Sequence, residues 1–141
     1  METQASGKNS VALGYKTEAI GEGAVAIGST IVAEGVGTES MTAYGPVVAR
    51  GDNSFAGGIG TYELERINEY VTMPVSVPTE AGGKASFAFG EGVEAKGDYS
   101  VAFGERTQAN EKDSIAFGGY NQGGKHTFTE NDGGGDIEIT I

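Results

Sequence analysis

The chain has 141 residues, a formal charge of −11, 25 glycines and no cysteine. That length suits one domain, and so acidic a chain cannot neutralise a row of phosphates, which excludes nucleic acid as a partner. Without cysteine there is no disulfide framework and redox compartment cannot be read.

No run of about 18 apolar residues exists to span a membrane. Met1–Gly7 has neither the basic nor the apolar region of a secretory signal. Met1 opens the chain with no purification tag behind it, which reads as an intact small gene product whose acidic surface keeps an assembly soluble.

A frame opens at Ala5 and reads Ala5-Ser6-Gly7-Lys8-Asn9-Ser10-Val11-Ala12-Leu13-Gly14. It returns at Ala19, Ala33, Ala49, Ala81, Ala95 and Ala109, with spacings of 14, 14, 16, 32, 14 and 14 residues. Within each unit the stretch Ser-large-Ala-large-Gly alternates with period two, which predicts a strand. Val11, Leu13, Val25, Ile27, Phe87, Phe89, Val101, Phe103, Ile115 and Phe117 occupy one face of these strands. Ser10, Ala12, Gly14, Ala26, Ala88, Ala102 and Ala116 occupy the other.

Each unit then makes one coil of two strands and two tight turns, with glycine supplying the turns. Coils stacked at about 4.8 Å each give a rod of roughly 34 Å for seven units. A lone coil buries no core, so stacking is obligatory. Two-strand coils are too thin to hold four phenylalanines. The small face is therefore expected to fill the roll and the large face to pack against other chains, because so wide an apolar stripe is not left wet. The reverse arrangement stays open at this point.

The segments Asn9-Ser10-Val11-Ala12-Leu13-Gly14, Tyr99-Ser100-Val101-Ala102-Phe103-Gly104 and Asp113-Ser114-Ile115-Ala116-Phe117-Gly118 resemble the head repeats of trimeric autotransporter adhesins, the YadA-like head. The resemblance covers residues 5–58 and 81–122. It implies an all-β fold, a left-handed parallel β-roll of 14-residue repeats, and a homotrimer around one axis. The ten large residues named above then become trimer-packing candidates. The family usually adds a signal peptide, a neck, a coiled-coil stalk and a C-terminal membrane barrel, none of which reads in this chain. Similar rolls occur in phage fibres, which assemble without a signal.

Residues 1–58 form a first block of repeats, 59–80 an insert, 81–122 a second block and 123–141 a tail. The insert holds two tyrosines and two prolines, and insertions in solenoids emerge on one face, often the binding face. Tyr62, Glu63, Arg66, Tyr70 and Met73 are its candidates for partner contact. The alternative is a packing element, and the spacing of Leu64, Ile67 and Val71 favours it as a helical turn against a core. The tail alternates as a strand from Asp136 to Ile141 and reads as a cap over the open roll end, with a docking strand as the other reading.

Several signals compete with the repeat. Gly21-Glu22-Gly23-Ala24-Val25-Ala26-Ile27-Gly28 has the glycines of a dinucleotide loop without its strand–helix context. Arg50-Gly51-Asp52 spells an integrin-type tripeptide, but Gly51 belongs to the repeat. Asp132-Gly133-Gly134-Gly135-Asp136 is similar to one turn of a calcium-binding repeat and occurs once. His126 is the single histidine, so no nucleophile–base set exists, and Glu63, Glu65 and Glu69 read as a solvated face.

No catalytic, cofactor or metal residue is assigned. The expected function is a non-enzymatic trimeric fibre module on a virion surface, involved in host attachment. The alternative is the head of a bacterial surface adhesin binding matrix protein or glycan. An enzyme with its site between subunits at the insert is a third reading. The expected partners are further copies of the chain, other virion or surface proteins, and a host cell-surface molecule or glycan.

Overall fold

In the computed structural model, residues 2–34, 42–120, 122–123, 125–130 and 135–140 are described. The first nine strands are β1 (Gln4–Ala5), β2 (Val11–Gly14), β3 (Thr17–Ala19), β4 (Val25–Thr30), β5 (Val32–Glu34), β6 (Thr42–Tyr44), β7 (Val47–Ala49), β8 (Phe55–Arg66) and β9 (Thr72–Val77). The remaining nine are β10 (Thr79–Ala81), β11 (Phe87–Glu91), β12 (Glu94–Ala95), β13 (Val101–Glu105), β14 (Gln108–Ala109), β15 (Ile115–Gly119), β16 (Gln122–Gly123), β17 (Lys125–Glu130) and β18 (Gly135–Thr140). No helix occurs among the described residues.

Two parallel sheets make the roll. One runs β1-β3-β7-β10-β12-β14-β16, the other β15-β13-β11-β8-β4-β2. Register follows the repeat, so that Ala5 faces Ala19, Ala19 faces Ala49, Ala49 faces Ala81, and Ala109 faces Gly123. The second sheet likewise aligns Ala12 with Ala26, Ala26 with Ala56, and Ala88 with Ala102 and then Ala116. Identical frames stack because a one-residue slip would exchange the small and large faces of every coil.

The interior is built from small side chains. Ala19, Ala49, Ala81, Ala95 and Ala109 of the first sheet meet Ala26, Ala56, Ala88, Ala102 and Ala116 of the second, all buried. A column of Thr17, Val47, Thr79, Val93 and Thr107 closes one side, also buried. At the other side a serine column folds back on the turn. Ser86 Oγ donates to the Gly83 carbonyl at 2.7 Å and Ser100 Oγ to that of Gly97 at 2.6 Å. Ser114 makes the same bond to Glu111 at 2.6 Å.

Each coil turns twice, and both turns need left-handed backbone. At the first turn Asn9, Gly23, Asn53, Ala85, Tyr99 and Asp113 all have positive φ. From Gly23 onward their N–H groups donate to the preceding coil at 2.7–2.9 Å, from Gly23 to the Lys8 carbonyl through Asp113 to that of Asp98. Lys16, Gly92, Arg106 and Tyr120 take the same conformation at the second turn. At Asn53, Ala85, Tyr99, Arg106, Asp113 and Tyr120 the strain of a non-glycine residue in this region is offset by the ladder bond its N–H makes.

Two adjacent coils replace the second turn with a hairpin. β4 leads into antiparallel β5–β6, pairing Val32 with Tyr44 and Glu34 with Thr42. β8 leaves the roll at Thr61 and pairs with β9 from Thr61–Val77 to Arg66–Thr72. Each hairpin returns to the roll through a proline, Pro46 or Pro78, just before β7 or β10. Proline has no N–H to offer the ladder, and its fixed φ suits the extended entry to a strand.

Two expectations change here. Ala33, where the sequence frame recurs, lies in the β5–β6 hairpin, and Ala19 pairs directly with Ala49. The seventh strand of that sheet is supplied by Gln122–Gly123. The insert is a strand pair, not a helical element. Leu64 and Ile67 point to solvent, 54% and 57% exposed. Thr72, Val75 and Val77 are β-branched, and Pro74 would break a helix.

Candidate interaction surface

Small residues inside force the large ones outward. The stripe has two columns on the second sheet. Val11, Val25, Phe55, Phe87, Val101 and Ile115 form one, and Leu13, Ile27, Gly57, Phe89, Phe103 and Phe117 the other. Leu13 is 55% exposed, Phe103 43% and Phe117 61%, and Val25, Phe55, Phe87 and Val101 are half-buried by their neighbours.

Four of the rings are arranged as a ladder. Phe55 stacks on Phe87 at 5.1 Å between centroids, Phe87 lies 6.4 Å from Phe89, and Phe89 stacks on Phe103 at 5.5 Å. Phe117 continues the column, tilted, 5.7 Å from Phe103. Such offset contacts add about 0.5–1.5 kcal/mol beyond area burial. Gly57 leaves room for this ladder, since a Cβ there would come within 2.8 Å of both Phe55 and Phe89.

Sequence reasoning placed ten residues on this stripe and missed Phe55. Its coil reads Ser54-Phe55-Ala56-Gly57-Gly58, and the glycine at the second large position hid the pattern. The signal was present in Ser54 and Ala56, which hold the frame.

The insert candidates divide. Tyr70 stands at the hairpin tip, 92% exposed, where Asn68 Oδ1 accepts bonds from the N–H groups of Tyr70 and Val71 at 2.8 and 3.0 Å. Arg66 is exposed, and its Nε donates to the Asn68 carbonyl at 3.3 Å. Met73 and Tyr62 are half-buried. Glu63 instead anchors the hairpin to the roll, its Oε2 lying 2.7 Å from Arg106 Nη1, while Arg106 Nη2 donates to the Tyr62 carbonyl at 3.3 Å. The first hairpin is tied by Lys16, whose Nζ lies 4.3 Å from the centre of the Tyr44 ring.

The ends of the integrin-type tripeptide are engaged by the roll. Arg50 Nε pairs with Glu80 at 3.4 Å, and Asp52 Oδ1 accepts the Glu22 N–H at 2.9 Å. Gly21–Gly28 is a turn and a roll strand. The calcium-like stretch Asp132–Asp136 lies largely outside the described residues, as does the side chain of His126. Among the described residues no group of three or more His, Cys, Asp or Glu side chains is arranged to hold a metal ion.

Family comparison bears on the same coils. The YadA head domain repeat matches the chain twice, at residues 5–30 and 95–121. These coils are similar to the YadA head repeat. The two matched segments lie at opposite ends of the roll, and the stretch between them contains both hairpins and the Gly57 coil, which interrupt the 14-residue period. Neither a curated protein nor a solved structure matches the chain.

Proposed function

We propose that the chain is a non-enzymatic adhesive module that assembles as a homotrimer, with the roll left-handed and the apolar stripe at the contacts between chains. The observation that carries this is the exposed phenylalanine ladder on a roll whose interior admits only alanine, serine, threonine and valine. A continuous apolar stripe is costly to hydrate and is the usual mark of an interface. Closed cyclic symmetry buries it in every copy at once. The head repeats support the adhesive part of the reading.

The trimer presents three copies of each hairpin, so weak single contacts become strong attachment through effective concentration. Labelled chain applied to host cells should attach saturably, and a variant that falls apart into single chains should lose most of that attachment. Absence of saturable attachment to any candidate host surface would count against an adhesive role. The proposed setting is a virion fibre, with a bacterial surface adhesin as the alternative. Immunogold label on particles supports the first, and label on cell envelopes the second.

A further inference from the structure

Beneath the β8–β9 hairpin, along the second-turn edge of the roll, lies a cleft of about 310 Å³. Gly92 forms its floor, and Val77 and Pro78 form the hairpin wall. Glu63, Ser76, Glu94, Arg106, Gln108 and Tyr120 supply the rest of its lining. No residue of the apolar stripe lines it, so association through the stripe does not by itself close it.

The cleft is built on fixed groups. Arg106 is held by Glu63 and by the Tyr62 carbonyl, and Glu94 is held by an ion pair with Lys96. Gly92 has φ +62°, and a Cβ there would come within 2.8 Å of Val77 and 3.0 Å of Arg106. Glycine therefore lets the wall and the guanidinium close over the floor. The size is at the lower end of ligand sites, but the lining is far more polar than a pocket for apolar molecules.

Charge narrows the ligand further. Two carboxylates against one guanidinium leave the lining at −1, which disfavours an anion, and both carboxylates already have cationic partners. A ligand of many hydroxyls both donates and accepts, and here it meets a fixed guanidinium donor beside carboxylate and amide acceptors. The open face of the Tyr120 ring offers a platform for the C–H side of a sugar ring.

We propose that this cleft binds a neutral saccharide. The biological use of such binding rests on the adhesive reading above. The test is saturation-transfer NMR on the full chain with methyl glycosides of glucose, galactose, mannose and N-acetylglucosamine, with lactose and cellobiose, and with glucuronate as the charged comparison. Saturable binding of at least one neutral sugar is expected, weakened tenfold or more by Tyr120→Ala and by the isosteric Glu94→Gln, unaffected by Tyr70→Ala, and stronger than that of glucuronate. No saturable binding of any neutral sugar overturns the proposal, as does binding that both cleft variants leave unchanged. Solution mass measured on the same samples separates the two ideas: a trimer without sugar binding removes this proposal alone, and sugar binding by a single chain removes the trimer alone.

Discussion

Replacing Phe103 by alanine tests the stripe within its phenylalanine ladder. A phenylalanine presents about 200 Å², and Phe103 is 43% exposed on one chain, so roughly 85 Å² awaits burial. At about 25 cal/mol per Å² that is ~2 kcal/mol per chain and ~6 kcal/mol per trimer. With 1.4 kcal/mol per tenfold, association should weaken by about four orders of magnitude. The fold itself should suffer less, losing the ring contacts to Phe89 and Phe117 at 5.5 and 5.7 Å, about 1 kcal/mol each, because Ala102 beneath stays packed. Sedimentation over a dilution series reads the association, and circular dichroism confirms the fold. Phe103→Leu, which keeps most of the area, should recover most of the loss. A folded Phe103→Ala chain with undiminished association would refute the reasoning.

Other positions give sharp contrasts. Thr17 Oγ1 and Ser54 Oγ are buried without a hydrogen-bond partner, while neighbouring coils carry Val47 and Ala24 in the same columns. Thr17→Val and Ser54→Ala should therefore each raise stability by about 1 kcal/mol in chemical denaturation, and a loss would contradict the assignment. Gly104 has φ +135°, and a Cβ there would run into the Gly118 carbonyl oxygen, whereas one at Gly119 meets nothing within 4 Å. Gly104→Ala should cost ~2 kcal/mol or more and Gly119→Ala less than about 0.5 kcal/mol, read from their melting curves. Arg106→Ala should free the β8–β9 hairpin, raising amide exchange of residues 61–66 and 72–77 about fivefold, as loss of a part-exposed ion pair worth ~1 kcal/mol implies. The hydrogen bond that Lys96 donates to Glu94 raises the pKa of Lys96 above the usual lysine value of 10.5. Its contribution is thus fully present at neutral pH and is lost only as pH climbs through the raised value, so the stability gap between wild type and Lys96→Met should stay flat from pH 6 to about pH 9 and narrow at higher pH.

The roll was legible because its repeat carries two physical instructions at once. Period-two alternation marks the strand, and the size difference between faces says which side can enter a two-strand coil. Ala88 and Ala102 inside, with Phe89 and Phe103 outside, follow from volume alone. The hairpins were harder to read. Ala33 satisfies the frame by composition yet sits in an excursion, because an alanine beside β-branched neighbours suits a hairpin as well as a coil. The insert misled through Leu64, Ile67 and Val71, whose spacing matches a helix, while the prolines and β-branched residues around them select strands. Phe55 went unrecognised because its partner position holds Gly57, whose role depends on rings from two coils meeting above it. The cleft could not be read at all, since it joins residues from Glu63 to Tyr120 that only the stacking brings together.

In the proposed trimer, chains meet through the face that the roll cannot bury. Sedimentation equilibrium of the wild-type chain measures this directly. A particle of about 43 kDa, three times the 14.4 kDa chain, is the predicted result. A stable, soluble species of one chain mass at micromolar concentration would show that the phenylalanine ladder faces water, and would contradict it.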